Sequence, residues 1–182
     1  MILTELCHSK LPLQDKLQLI DCVFEAHAQA AITNENISNI AFMQAASGSG
    51  DFVGGVIAAL ASLGNRHGPI ADARHFIYER DDEEQKYFCQ TGQKIPGWGN
   101  SFFKGTCDPA WLEVAELIES KYPLDHQALS IITGMLDNKV LPNAAAYSAV
   151  AAELLGMPRG TEPLLFIIPR LPVWAFKFAG LT

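Results

Sequence analysis

Three features of this 182-residue sequence could take part in chemistry, and the first is a histidine. His67 lies between Gly64 and Gly68, at the end of an apolar segment. An imidazole in that position could transfer a proton to a ligand. It could equally hydrogen-bond a carbonyl at a helix C-terminus, where the helix dipole favours a cation. The residues alone leave both interpretations open.

The second feature is Arg170, which follows the apolar run from Leu164 to Pro169 and precedes Leu171. These neighbours predict that Arg170 is buried, and a buried guanidinium needs a partner. The partner is either a structural carboxylate, for which Glu153 and Glu162 are the candidates, or a bound anion.

The third feature is the glycine-rich loop between Lys94 and Lys104, in which Gly97 and Gly99 flank Trp98. Glycines at this spacing either permit a tight turn or allow backbone N–H groups to approach a phosphate. The two lysines could contribute positive charge to such an anion site.

The cysteines indicate reduced thiols. Cys7, Cys22, Cys89 and Cys107 are widely spaced and form no zinc-binding pattern. Cys107 directly precedes a predicted helix start, where a thiol can become nucleophilic, but no histidine lies beside it in sequence, which favours a passive thiol. This cysteine usage predicts a cytoplasmic protein.

Composition and charge exclude several classes of function. The net charge is -7 and the 13 Lys and Arg residues are scattered, which disfavours nucleic acid as a partner. No segment predicts a signal peptide or a membrane span. The acidic run from Asp81 to Glu84 is typical of a solvated helix start rather than a metal site, so no metal is expected. The chain is predicted to form a single domain over residues 1–182.

Apolar residues recur at helical spacing through most of the chain, so the predicted fold class is all-α. Pro169 and Pro172 predict a kink in the last helix. The predicted helices are Leu13 to Ala31, Ser38 to Ala46 (ended by Ser47 to Gly50), Phe52 to Leu63, Ile70 to Tyr78, one starting near Asp81, one capped by Asp108-Pro109 and reaching Ile118, Asp125 to Leu136, Ala144 to Leu155, and Pro163 to Phe178.

Four segments carry a resemblance to a known family over residues 38–178. They are Ala45 to Gly68, Ile95-Pro-Gly-Trp-Gly99 followed by Asp108-Pro109, Leu141-Pro-Asn143 through to Met157, and Leu164 to Arg170 followed by Trp174. In this order and spacing they resemble the catalytic half of the citrate synthase superfamily, which includes the citryl-CoA lyases. The resemblance implies a compact, helical, lyase-type fold that forms a homodimer.

The resemblance also implies roles for individual residues. In the family, an aspartate removes a proton from the acyl group of a coenzyme A thioester. One histidine donates to the thioester oxygen, and a second histidine polarises the carbonyl under attack. His67 matches the first histidine, Asn100 stands where the second is expected, and Ala145 stands where the aspartate is expected. Ala145 cannot abstract a proton, and Asn100 can only donate a hydrogen bond near neutral pH.

The ligand-binding positions are partly kept. Arg170 matches a substrate-binding arginine, Gly97 and Gly99 match the loop, and Lys104 matches a basic residue that faces coenzyme A phosphate. Ala110 replaces a further arginine, which weakens tricarboxylate recognition. His27 lies near a substrate-binding histidine of the family but out of register, so no role is transferred to it.

These residues lead to three hypotheses. The first is a diverged carbon–carbon lyase or acyltransferase acting on an acyl-CoA, with another group supplying the missing base. The second is a catalytically inactive homologue that binds coenzyme A, a carboxylate or a protein partner as a regulator or oligomer subunit. The third is a structural protein with an empty pocket.

Overall fold

The computed structural model describes residues 9–33, 36–64, 68–136 and 140–180, except for the side chain of Thr33. No element in these ranges is a β-strand. The α-helices are α1 (Leu13–Thr33), α2 (Ile37–Ser49), α3 (Phe52–Ala61), α4 (Ile70–Tyr78), α5 (Asp82–Gln90), α6 (Leu112–Lys121), α7 (Pro123–Met135), α8 (Ala144–Leu154), α9 (Pro163–Ile167) and α10 (Arg170–Ala179), and a 3₁₀ turn (Pro109–Trp111) precedes α6.

Side-chain caps begin several of these helices, because a carboxylate or amide oxygen can accept the first unpaired backbone N–H groups. Asp51 accepts from Val53 N at 3.0 Å and from Gly54 N at 2.9 Å at the start of α3. Asn143 accepts from Ala145 N at 2.8 Å at the start of α8. The cap predicted at Asp51 is therefore confirmed.

Several helix boundaries differ from the sequence prediction by one to three residues, and two of the differences have a clear physical reason. Helix α2 continues to Ser49 rather than ending at Ala46, and Gly50 then ends it in the left-handed conformation (φ 64°). Helix α7 begins at Pro123 instead of Asp125, because the fixed φ of proline suits the first helical position. At the predicted kink the helix is interrupted for two residues, with α9 ending at Ile167 and α10 starting at Arg170.

Helix α8 lies at the centre of the main core. Its residues 145–152 are all buried, and their mainly small side chains let α4 pack closely against it. Helices α1 and α9 also contact α8. Packing against α1, α4 and α9 thus fixes α8 within the core.

A smaller apolar cluster joins the α2–α3 hairpin to α10. Phe42 stacks on Trp174 with ring centroids 5.5 Å apart. A Cβ at Gly55 would lie only 2.8 Å from Phe42 Cε2 and 2.9 Å from Ala46 Cβ, so the close approach of the two helices requires glycine there.

A buried ion network fixes the segment that leads to α9 and α10. Arg74 Nη1 donates to Glu162 Oε1 at 2.9 Å and to the carbonyl oxygen of Met157 at 2.8 Å, while its Nε donates to Glu153 at 2.8 Å. Glu162 is fully buried and also accepts from Gly160 N at 2.7 Å. This network ties α4 to α8 and sets the position from which α10 starts.

Candidate ligand-binding site

The glycine-rich loop is joined to the segment before α8 by backbone and amide hydrogen bonds. Gly99 N donates to the carbonyl oxygen of Leu141 at 2.9 Å, and Asn143 N donates to that of Gly97 at 2.8 Å. The Asn143 side chain donates to the carbonyl oxygen of Gly99 at 2.8 Å. The loop and the N-terminus of α8 therefore form one rigid unit.

Conformation and space both require glycine at position 97. Its φ is +89°, and a Cβ there would lie 3.1 Å from the backbone N and Cα of Ala146. Gly99 also has a positive φ, +80°, but a Cβ there would meet nothing closer than 3.7 Å. Between them, Trp98 is buried and donates from Nε1 to Thr133 Oγ1 at 3.0 Å, which anchors the loop in the core.

A cavity of about 520 Å³, called here the main cavity, lies between this loop, the N-termini of α8 and α10, and the C-terminal half of α1. The sequence-predicted residues Gly97, Gly99, Asn100 and Arg170 all line it, as does Ala145. His67 lies outside the described residues, although Gly68 next to it lines the same cavity. Apart from His67 and Lys104, the predicted site residues thus converge on one space.

A second cavity of about 320 Å³, called the side cavity, adjoins the first. Lys104 and Phe103 line the side cavity only. Five residues line both cavities and form the boundary between them: Gly99, Asn100, Asp108, Trp111 and Asn143. The two cavities together form a bipartite cleft, in which Arg170 lines only the main cavity and Lys104 only the side cavity.

Arg170 is a buried cation without an acidic partner among the described residues. It is 3% exposed, its Nη1 donates to Ser38 Oγ at 3.4 Å, and its guanidinium lies over the Phe166 ring at 3.8 Å. Burial lowers the pKa of Arg170 to about 10. Glu153 and Glu162, the candidates for a structural salt bridge, pair with Arg74 and Arg159 instead.

His27, on α1, also lines the main cavity and is fully buried. Its Nε2 lies 2.9 Å from Ser148 Oγ, and its ring packs edge-on against Trp111 and Phe166. Burial, and then the nearby charge of Arg170, hold the pKa of His27 well below its usual value, so the ring is neutral. Sequence reasoning assigned this histidine no role.

Asp108 is the carboxylate that lines the main cavity among the described residues. Its Oδ1 accepts from Ala110 N at 3.1 Å, and burial raises the pKa of the carboxyl group. Ala145 contributes only a methyl group to the cavity wall. Asn100 Oδ1 accepts from Phe102 N at 2.9 Å, which orients its amide within the loop.

Two further observations limit the chemistry of the site. Burial raises the pKa of the Cys107 thiol, which disfavours a thiolate nucleophile. Within the described ranges, no group of three or more His, Cys, Asp or Glu side chains is arranged to hold a metal ion.

No helix in the described part of the chain has the length and apolar character needed to cross a bilayer.

Comparison with solved structures shows that the helical architecture is a citrate-synthase-like fold. Citryl-CoA lyase from Hydrogenobacter thermophilus has a TM-score of 0.73 with this chain at 22% identity, covering 94% of this chain and 71% of the lyase. Citrate synthase from Thermotoga maritima has a TM-score of 0.75 at 23% identity, covering 91% of this chain and 49% of the synthase.

A third similar structure is citrate synthase from Thermoplasma acidophilum in a ternary complex with carboxymethyl coenzyme A and oxaloacetate. Its TM-score is 0.68 at 23% identity, with 90% of this chain and 48% of the synthase covered. The chain thus spans about half the length of these two synthases. No protein-family model matches the sequence, and comparison with curated protein sequences gives no significant match. The predicted citrate-synthase-like, all-α fold is confirmed.

Proposed function

We propose that this protein binds a small carboxylate, or the acyl group of a coenzyme A thioester, in the main cavity. The observation that carries the proposal is Arg170, a buried cation with no acidic partner in the described part of the chain. An unpaired buried charge costs several kcal/mol, so a site of this kind is completed by an anion. A carboxylate also matches the fork of N–H donors on a guanidinium.

The bipartite cleft supports a coenzyme A thioester as the larger ligand. The acyl group would occupy the main cavity beside Arg170, and the coenzyme A chain would leave through the side cavity, where Lys104 could pair with a phosphate. Gly97 and Gly99 would form the wall between these positions. The complex of the Thermoplasma synthase with a coenzyme A analogue and a ketoacid supports this ligand class by analogy.

The binding proposal is tested by calorimetry with coenzyme A, acetyl-CoA and oxaloacetate. The wild-type protein should bind at least one of these ligands, and Arg170→Met should abolish binding of oxaloacetate. Lys104→Ala should weaken coenzyme A binding about 2- to 5-fold, as expected for an exposed charge pair, and leave oxaloacetate unaffected. Absence of binding by all three ligands at millimolar concentration would refute the proposal.

Catalysis is a second candidate function, which the position of Asp108 favours. Ala145 offers no base, but Asp108 lines both cavities and its raised pKa suits proton abstraction. In a retro-aldol cleavage of a 3-hydroxyacyl-CoA, a carboxylate takes the hydroxyl proton as the carbon–carbon bond breaks and the electron pair moves to the thioester. His67 and Asn100 are proposed to donate hydrogen bonds to the developing oxyanion.

A cleavage assay with citryl-CoA separates this enzyme from an inactive, ligand-binding homologue. An active protein should lose about 10²- to 10⁴-fold in rate on Asp108→Asn, the usual contribution of a general base. Asp72→Asn, an exposed aspartate on α4, is the matched control and should leave the rate unchanged. If the wild-type protein binds ligand but cleaves neither citryl-CoA nor other 3-hydroxyacyl-CoA thioesters, the regulatory or subunit role is favoured.

We also propose that the protein is a cytoplasmic homodimer. Between positions 37 and 64 the only charged residue is Asp51. Yet this hairpin exposes large apolar side chains, with Ile40 44%, Val53 59% and Ile57 61% exposed. Several exposed large apolar side chains on one nearly uncharged hairpin are typical of an interface.

The dimer is tested by light scattering coupled to gel filtration. Val53→Glu combined with Ile57→Glu should give a monomer, because the interface would then bury two carboxylates. Leu124→Glu, at a side chain that is 79% exposed on α7, is the control and should leave the mass unchanged. A wild-type protein that elutes as a monomer at high concentration would refute the proposal.

A further inference from the structure

Three buried side-chain atoms in the described residues have no hydrogen-bond partner: His27 Nδ1, Trp111 Nε1 and Arg170 Nε. All three residues line the main cavity. Buried polar groups in proteins are nearly always paired, and each unpaired one is destabilising. Three of them around one cavity point to a ligand that pairs them.

The hydrogen bond to Ser148 determines what His27 offers to this ligand. Ser148 is fully buried on α8, and the ring nitrogen Nε2 of His27 lies 2.9 Å from its hydroxyl oxygen. If the hydroxyl donates to Nε2, the ring proton is on Nδ1. The opposite tautomer would leave the buried hydroxyl hydrogen without an acceptor, so the first arrangement is favoured. His27 therefore presents an N–H donor at Nδ1.

The three unpaired atoms are then all donors, because the indole nitrogen and the guanidinium Nε can only donate. The residues that carry these atoms are also close neighbours. The His27 ring centroid lies 4.7 Å from that of Trp111 and 5.2 Å from that of Phe166, and the Arg170 guanidinium lies 3.8 Å above the same Phe166 ring. This cluster offers N–H groups and a single positive charge in one desolvated place.

We propose that His27 and Trp111 are ligand-binding residues that act with Arg170 on one group of the ligand. That group has several acceptor oxygens and a single negative charge, as a carboxylate does. The inference rests on the proposed function and adds to it two binding residues in the main cavity and the charge of the ligand group that they contact. It assigns roles to two side chains that the family resemblance leaves without one.

Paired substitutions of His27 test the proposal by calorimetry with oxaloacetate as the probe. Asparagine carries its amide near the position of Nδ1, whereas glutamine carries its amide near Nε2, beside Ser148. His27→Gln should therefore weaken oxaloacetate binding about 10- to 100-fold, the loss expected for one hydrogen bond to a charged group. His27→Asn should stay within a few-fold of the wild-type protein.

Trp111→Phe removes the indole N–H but keeps an aromatic ring against His27, and it should weaken oxaloacetate binding about 10-fold. A ¹⁵N spectrum gives a second readout, because the Nδ1 signal of His27 should move when oxaloacetate is added. A purely structural histidine would show no such response.

The possible outcomes separate this inference from the proposed function. If the wild-type protein binds none of oxaloacetate, coenzyme A and acetyl-CoA, both fail. If the wild-type protein binds oxaloacetate and Arg170→Met does not, while His27→Gln and Trp111→Phe bind normally, only this inference is overturned. Equal weakening by His27→Asn and His27→Gln, with Trp111→Phe unchanged, also overturns it, because position 27 would then act only through the fold.

Discussion

Replacing Arg170 by methionine should stabilise the ligand-free protein while it removes ligand binding. The guanidinium is 3% exposed and has no carboxylate partner in the described ranges, so the unliganded fold carries an uncompensated desolvation cost. Methionine has a similar length and fills the same apolar surroundings without that cost. If Arg170 serves to bind a ligand, its replacement should therefore stabilise the ligand-free protein. If it serves to stabilise the fold, its replacement should destabilise that protein.

The size of the effect follows from the contacts of Arg170. Burial lowers its pKa from 12.5 to about 10, which corresponds to about 3 kcal/mol against the charged form. The contact with the Phe166 ring returns about 1–2 kcal/mol, and the 3.4 Å approach to Ser38 Oγ adds little. The substitution should thus raise the free energy of unfolding by about 1–2 kcal/mol, or the Tm by about 2–8 °C for a chain of this length.

The same substitution at Arg74 is the matched control. Arg74 is 5% exposed but is paired with Glu162, which is fully buried. Arg74→Met leaves that carboxylate buried without its cation and should cost about 3–5 kcal/mol. Both variants are measured by chemical denaturation without ligand. Destabilisation by Arg170→Met comparable to that by Arg74→Met would refute the idea that Arg170 awaits an anion.

Three further predictions concern the cavity wall and its titratable groups. Gly97→Ala should lower the free energy of unfolding by about 2–5 kcal/mol, because the new Cβ would lie 3.1 Å from the Ala146 backbone. Gly99→Ala should lower it by only about 1–2 kcal/mol, from conformational strain alone, and equal losses in chemical denaturation would contradict the packing argument. Since the pKa of His27 is held below its usual 6.5, the unfolded chain binds more protons than the folded one, and the free energy of unfolding should fall as the pH drops below about 6.5. His27→Gln should make that fall less steep, and an unchanged pH profile would count against a buried neutral ring. Burial raises the pKa of Cys107, so it should react with iodoacetamide more slowly at pH 7.5 than an unfolded-state thiol, and faster reaction would indicate an activated cysteine.

The helices could be predicted because their signals are local. Apolar spacing sets each buried face, and Asp51 and Asn143 cap α3 and α8 through their own neighbours in sequence. The predicted positions of the helix ends were less accurate. For example, the end of α2 depends on which of two glycines takes the left-handed conformation. Gly48 stays helical and Gly50 ends the helix, a choice that composition does not reveal.

The cavity could be predicted only where a family motif marked it. Gly97, Asn100 and Arg170 were found in this way, and all three line the main cavity. His27 was missed although a signal existed: it lies four residues after Val23 on the buried face of α1, so its polar ring had to find partners in the core. The unpaired indole of Trp111 has no sequence signal, because pairing depends on the tertiary packing.

The choice of partner for Arg170 was likewise beyond the sequence. Glu153 and Glu162 were candidates by proximity along the chain, but Arg74 and Arg159 compete for the same carboxylates. Only the packing of α4 on α8, which brings Arg74 to both glutamates, decides that competition. Of the two interpretations that the sequence left open for Arg170, the structure removes Glu153 and Glu162 as its structural partners, which supports the proposed bound anion.

The most direct test of the account is a crystal structure of the protein grown with oxaloacetate and carboxymethyl coenzyme A. A carboxylate should lie in the main cavity within about 3 Å of Arg170 Nε, with His27 Nδ1 at hydrogen-bond distance from the same group. An empty main cavity at saturating ligand, or Arg170 paired with a carboxylate of the protein itself, would contradict it.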